Sequence, residues 1–243
     1  KSLQTGLLLA TGIAGYLSAH RPDGGWLAMI GLSGSLFLAI GGSTVLNMAY
    51  DRDIDAVMQR TCWRPLPKGL VSPGQALRLD PPLSELGHGW ALTLAPLYAA
   101  IVFAGGFFDA LAGRALATGE IDLVGVMLAL GVLCWIPTHI MTFSMRHFAD
   151  YRAAHIPTFP ATYGFYITRV AIAISSLAAA LIMAGAAATI GVPQRWLGLL
   201  GVLGAGLLAL AVLGVARPSP RVSFALFKYA SLYMLSAMLI MAL

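Results

Sequence analysis

Apolar positions gather into long unbroken runs, at Trp26 to Asn47, Ile121 to Met145, Val170 to Val192, Trp196 to Val215 and Val222 to Leu243. Each approaches or exceeds the roughly 20 residues with which a helix covers the bilayer core, so each predicts a membrane-spanning helix. The opening run, Ser2 to Ala19, predicts the first span. It has one basic residue before it and no small-residue cleavage site ahead of His20-Arg21-Pro22, which argues against a signal peptide. Proline and glycine mark connections at Pro22-Asp23-Gly24-Gly25, Pro65 to Pro73, Pro157 to Pro160 and Pro218-Ser219-Pro220. Ser33, Gly34, Ser35, Gly41 and Gly42 in the second run predict close packing against a neighbouring helix.

Composition strengthens this pattern. Of 243 residues, 58% are hydrophobic and 10% charged, whereas a soluble domain carries about a quarter charged residues. The expected fold class is therefore all-α, a polytopic membrane protein formed by one domain over residues 1–243. The net charge of +5 does not point to nucleic acid, because the few basic residues lie near span ends, where membrane proteins carry them anyway. Cys62 and Cys134 have neither disulfide nor metal-site spacing.

The placement of the charges adds topology. Asp51, Arg52, Asp53, Asp55, Arg60, Arg64 and Lys68 fall in one short segment, and Arg146, Asp150 and Arg152 in another with His147 and His155. Short basic loops stay on the cytoplasmic side, so both segments and Arg217 to Arg221 are expected inside, with Asp80 to Glu85 and Glu120 to Asp122 outside. The chain must then cross between Gly69 and Asp80 with too few residues, and again around Gly106 to Thr118. Two stretches are therefore expected to be absent from this sequence, near 78–80 and near 105–106. Restoring them gives nine spans, the N-terminus inside and the C-terminus outside. Short re-entrant helices are the alternative.

Asn47, Asp51 and Asp55 recur every four residues, so on a continuous helix their oxygens line one face. Such a row beside a bilayer is costly without a cation between the oxygens. Mg²⁺ suits it, since it takes one or two carboxylates and completes its shell with phosphate oxygens and water. Asp53 faces elsewhere, with Arg52 or solvent as its partner. Arg60, Arg64 and Lys68 follow directly and match phosphate chemistry; the blander reading is ordinary positive-inside charge. In the second segment Asp150 suits a second Mg²⁺, Arg146 and Arg152 phosphate, and His147 or His155 the acceptor, with a helix-end ion pair as the alternative for Asp150. His139 lies about two turns inside a span and is expected to face a cavity or partner helix.

The stretch Asn47-Met48-Ala49-Tyr50-Asp51-Arg52-Asp53-Ile54-Asp55, followed by Arg60-Thr61 and Arg64-Pro65-Leu66-Pro67-Lys68-Gly69, resembles the first aspartate-rich motif of the UbiA superfamily of intramembrane prenyltransferases. Asp150-Tyr151-Arg152-Ala153-Ala154, Ile156-Pro157 and Trp135-Ile136-Pro137-Thr138-His139 are most similar to its protoheme IX farnesyltransferase (haem O synthase) branch. The resemblance implies nine helices around a central cavity that opens to lipid, with a cytoplasmic cap carrying the two Asp-bearing loops. It also implies a polyprenyl diphosphate bound through two Mg²⁺, with Asn47, Asp51 and Asp55 on the first and Asp150 on the second. Arg60, Arg64 and Lys68 then hold the diphosphate, and the prenyl group passes to a lipid-soluble acceptor, haem or aromatic. Three departures stand out. Ala154 replaces a second acidic residue, Thr138 replaces a proline, and no inner Tyr/Lys loop is found around Gly105-Gly106.

The expected activity is Mg²⁺-dependent prenyl transfer at the cytoplasmic face of the cell membrane. Asp51, Asp55 and Asp150 are its catalytic carboxylates, and Arg146 and Arg152 are further diphosphate ligands. The preferred acceptor is protoheme IX with farnesyl diphosphate as donor, with His139 and His147 as acceptor contacts; a 4-hydroxybenzoate-type aromatic is the runner-up. Phe37, Met48, Phe143 and Met145 are candidates to line the cavity. An ion-coupled transporter is the alternative from another class, but it calls for mid-span acids rather than acids beside an Arg/Lys cluster.

Overall fold

In the computed structural model, which describes residues 2–20, 24–105 and 108–243, the chain is helical throughout. Its elements are α1 (Ser2–Leu17), α2 (Gly25–Tyr50), α3 (Arg52–Val57), α4 (Pro73–Leu94), α5 (Pro96–Ala104), α6 (Asp109–Thr118), α7 (Leu123–Arg146), α8 (Phe148–Ala153), α9 (Phe159–Ile190), α10 (Gln194–Ala216) and α11 (Pro220–Ala242). Among the described residues five of these, α2, α7, α9, α10 and α11, are long and apolar enough to cross a membrane. They correspond to the five long runs. Two of them start on capping side chains: the Asp122 carboxylate of α7 accepts from Gly125 N–H, and the Ser219 hydroxyl of α11 from Val222 N–H with Pro220 in the first turn. The loop at Pro22 falls on residues 21–23, outside the described ones.

Two cores hold the bundle. Tyr16, Leu32, Leu36, Ala91 and Tyr98 centre one, built from α1, α2, α4, α5 and α6. Leu128, Ile172, Met183, Leu207, Tyr233 and Met238 centre the other, built mainly from α7, α9, α10 and α11. The small residues of α2 act as expected at Gly42, where a Cβ would come within 2.2 Å of the Ser84 hydroxyl of α4, whereas Gly41 faces open space.

The region between α2 and α7 departs from the expected topology. Asp80 and Glu85 are not an outer connection but lie within α4, which starts at a Ser72/Gln75 capping box and runs unbroken through 78–80 and past Pro81 and Pro82. Its 22 residues reach about 33 Å at the helical rise, enough for one bilayer crossing. Arg78, Asp80 and Glu85 hid it from a hydrophobicity reading. Beyond it, α5 and α6 have 9 and 10 residues, each about half of a bilayer crossing. They meet around Gly105 (φ 120°), while Gly106 lies outside the described residues. Among the described residues, five helices are long and apolar enough to span, and α5 and α6 are each shorter than a crossing.

Arg114 fastens this half to the rest. Its Nε donates to both Asp122 oxygens at 2.8 and 2.7 Å, and its terminal nitrogen donates to the Ser18 carbonyl and hydroxyl at 2.8 and 3.0 Å. Burial alone would raise the Asp122 pKa; the Arg114 hydrogen bonds and the Gly125 N–H outweigh it and hold the carboxyl below its ordinary value. A depressed carboxyl contributes stability above its unfolded pKa and loses it as pH falls through the folded one. Arg114→Met is therefore expected to cost about 3 kcal/mol near neutral pH, read as a lower unfolding temperature in detergent. The gap between the two proteins should narrow below about pH 4, as Asp122 is protonated, but not vanish, because the Arg114 bonds to Ser18 do not titrate.

Candidate active site

The Asn47, Asp51, Asp55 register survives the joint between α2 and α3, because Asp51 N–H donates to Asn47 C=O at 2.9 Å and Asp55 N–H to Asp51 C=O at 2.8 Å. The backbone thus stays helical past Tyr50, and the three residues sit on successive turns of one face. Their side chains differ in environment. Asn47 is exposed, Asp51 half-buried and Asp55 buried. Asp55 Oδ2 accepts from the Arg64 guanidinium at 2.7 Å, and the Thr61 hydroxyl donates to the Asp55 carbonyl at 3.1 Å, so the segment after α3 is folded back onto its own carboxylate. Asp53 turns away to Arg52 (2.8 Å) on the surface, a contact worth little.

Arg60 joins this segment to the second one. Its guanidinium lies 4.9 Å from the centroid of the Phe143 ring, and its Nε is buried without a hydrogen-bond partner. Phe143 in turn touches the His147 ring (4.6 Å between centroids), and His147 Nδ1 is 3.8 Å from Asp150 Oδ2. That last separation is too long for a hydrogen bond. His147 is held below its ordinary pKa first by burial, then by the Arg60 and Arg146 charges, with Asp150 pulling the other way. It is therefore neutral at neutral pH. The two charged segments, some 90 residues apart in sequence, are thus linked through Arg60, Phe143 and His147, a junction called the mouth below.

A row of aromatic side chains continues inward from this mouth. His139 is stacked between Trp135 (4.8 Å) and Phe227 (4.6 Å), both at 27°, and its Nδ1 meets the Ser231 hydroxyl at 3.3 Å. With both faces covered and Nδ1 engaged, the Nε2 edge is what His139 offers. The stretch is fixed by polar contacts around Pro137, which cannot donate to the preceding turn. The Trp135 indole donates to Ala230 C=O at 2.8 Å, the Thr138 hydroxyl bonds those of Ser175 and Ser176, and the Ser175 hydroxyl donates to Cys134 C=O. Serines of α9 thus bond the α7 backbone and the Thr138 hydroxyl on either side of Pro137.

The remaining predicted residues divide. Arg146 lies on Phe224 (4.0 Å) rather than on Phe143. Arg152, Lys68 and His155 are exposed, His155 with a φ of 55°, and among the described residues none of the three pairs with a carboxylate. Phe143 belongs to the mouth and Met145 to a cavity behind it, but Phe37 is 56% exposed and lines an apolar groove of about 440 Å³ with Trp90. Sequence reasoning missed Arg169 and Phe227, which lie on α9 and α11 and join the site only through packing.

Among the described residues no three His, Cys, Asp or Glu side chains gather as a ready-made metal cage, because Asp55 is turned onto Arg64. The donor set still fits a hard divalent ion that shares its shell with a substrate. Hard oxygens are in place, the Asp51 carboxylate has no ion-pair partner among the described residues, and the buried Arg60 Nε awaits an acceptor.

The model of the UbiA prenyltransferase family matches residues 8–111 and 90–235. A protoheme IX farnesyltransferase of Pyrobaculum islandicum is 32% identical over 254 residues, covering 93% of this chain and 90% of its own. One from Pyrobaculum arsenaticum is 36% identical, covering 70% of each. Among solved structures, a UbiA homologue from Aeropyrum pernix superposes with a TM-score of 0.71 at 19% identity, covering 96% of this chain and 97% of its own. Another, from Archaeoglobus fulgidus and bound to DMAPP and Mg²⁺, gives 0.67 at 12% identity, covering 98% and 96%.

Proposed function

The chain belongs to the UbiA prenyltransferase family, a family of multi-pass membrane enzymes, and on that premise we propose that it transfers a farnesyl group from farnesyl diphosphate to protoheme IX. The relatives that align with most of its length carry that name. The observation that carries the reading is the contact of Arg60 with Phe143, which brings the segment after the first aspartate motif against α7, the helix that bears His139 and leads through His147 into Asp150 of α8. Two Mg²⁺ would be held by Asn47, Asp51 and Asp55 on one side and by Asp150 on the other. When bound they supply neutralisation of the charge that develops on the departing diphosphate.

The protein's own side chains do the rest. Arg60 donates to the diphosphate from a buried position, where each charge-assisted hydrogen bond counts for more than in water. Arg64 keeps Asp55 in place as the negative charge at the mouth changes. As the bond between the allylic carbon and oxygen weakens, the rings of Phe143, Phe227 and Trp135 face the carbon with their electron-rich faces and keep water out. The terminal carbon of the acceptor vinyl then bonds to the allylic carbon as the diphosphate leaves with the carbon–oxygen bonding electrons. The cation left on the vinyl carbon beside the macrocycle is captured by one water admitted after that bond has formed, which gives up a proton to the departed diphosphate. His139, clamped by two rings, presents Nε2 as the acceptor contact, with His147 as a neutral neighbour. Both charged segments face the cytoplasm in this account, since they are the short basic loops.

Purified protein in nanodiscs, given Mg²⁺, farnesyl diphosphate and either haem b or 4-hydroxybenzoate, is expected to yield a farnesylated haem by mass spectrometry. A prenylated phenol with no haem product would reject this acceptor and leave the family's chemistry intact.

A further inference from the structure

His139 and Phe143 of α7, with His147 at its C-cap, form one stripe that reaches Arg60 at Phe143. Thr142 and Arg146 form the next, one residue earlier and so about 100° around the helix. This second stripe lines a separate cavity of about 280 Å³ between α7, the start of α9 and the α10–α11 turn.

The charge around this cavity is all positive. The Arg146 guanidinium lies 4.0 Å and the Lys228 ammonium 4.6 Å from the Phe224 centroid. Arg169 of α9 lies 5.8 Å from the Phe165 centroid, and its Nε is buried with no hydrogen-bond partner. Among the described residues none of these three cations pairs with a carboxylate. A buried guanidinium nitrogen without an acceptor is costly, and aromatic-backed arginines suit a planar anion. Phe227 closes the cavity on one side and continues to His139 (4.6 Å) and Phe143 (5.8 Å), so an aromatic wall runs from these cations to Arg60.

We propose that this cavity seats the carboxylate edge of the acceptor, with Arg169 and Arg146 binding a propionate while Phe227 and Phe143 lie along the macrocycle. The inference rests on the acceptor proposed above. Protoheme carries its propionates and its vinyls on opposite edges, so anchoring one edge among Arg146 and Arg169 turns the other toward the diphosphate mouth. The cavity is smaller than a whole-ligand pocket and matches an edge group. Arg146 then serves the acceptor rather than the diphosphate.

The test is an absorbance titration of haem b and of its dimethyl ester into phosphatidylcholine nanodiscs holding the wild type, Arg169→Met or Arg169→Lys, alongside KM for farnesyl diphosphate. The wild type should bind the diacid about tenfold more tightly than the diester, the worth of a charge-assisted hydrogen bond. Arg169→Met should lose that preference, Arg169→Lys should keep part of it, and KM for farnesyl diphosphate should stay within about twofold, since Arg169 would not touch it. Equal affinity for diacid and diester in the wild type overturns the inference. So does an Arg169→Met variant that raises KM for farnesyl diphosphate and leaves haem binding alone, or a diacid preference abolished by phosphatidylglycerol, which would mark a lipid headgroup site. Selective binding of the diacid without any farnesylation would uphold the cavity and refute the proposed reaction.

Discussion

Asp51→Asn is expected to lower kcat for farnesyl transfer by about 10²–10³-fold while leaving the unfolding temperature where it was. The reason lies in how differently the motif's two buried or half-buried carboxylates are held. Asp55 is buried and paired with Arg64 at 2.7 Å, so its removal strands a guanidinium and confounds activity with stability. Asp51 sits at the α2–α3 joint without an ion-pair partner among the described residues, so its carboxylate contributes nothing that folding needs. Asparagine keeps its shape and its backbone hydrogen bonds and removes only the charge. A folded, inactive Asp51→Asn protein beside a destabilised Asp55→Asn protein would separate chemistry from architecture. Unchanged turnover in Asp51→Asn would remove the residue from the site.

The second large effect is expected at Arg60. Arg60→Met retains a flexible apolar side chain over Phe143 but deletes the buried donor, and kcat/KM for farnesyl diphosphate should fall about 100-fold, close to 2.7 kcal/mol of transition-state stabilisation. Lysine should restore only a small part of it, because an ammonium can neither lie flat on the ring nor present two parallel donors. Steady-state kinetics at saturating haem measures this directly. Recovery to near wild-type levels in Arg60→Lys would mean that Arg60 acts as a diffuse positive charge and not through its geometry.

Much of this molecule can be read along the chain. Each of the five long spans follows from an unbroken apolar run, and the motif at Asn47, Asp51 and Asp55 from a spacing that the helix converts into one face. Reading stops where the relevant energy is not local. Asp80 and Glu85 look like a loop to any hydropathy argument, yet α4 carries them because its other face packs Gly87 against α2 and a capping box starts it at Ser72. The half-length pair α5 and α6 is held by contacts distant in sequence, the Tyr98 hydroxyl of α5 on that of Ser35 of α2 at 2.8 Å and Gly113 of α6 against the Gly12 backbone of α1. In the site, the clustering of Arg60 with Phe143, and of Arg146 with Phe224, joins residues roughly 80 positions apart, and no periodicity encodes such pairs. Arg169 shows the same limit: it stands at the edge of an apolar run, and only the arrangement of α7, α9 and α11 turns it toward a cavity.

The proposed metal-dependent diphosphate site is a single one, shared by the two charged segments. It is tested most directly by calorimetric titration of farnesyl thiolodiphosphate, which does not ionise, into the wild type, Asp51→Asn and Asp150→Asn, each with Mg²⁺ and with EDTA. Binding that requires Mg²⁺ in the wild type and is weakened in both variants is the predicted result. Equal affinity in EDTA, or an Asp150→Asn protein that binds as the wild type does, would contradict it.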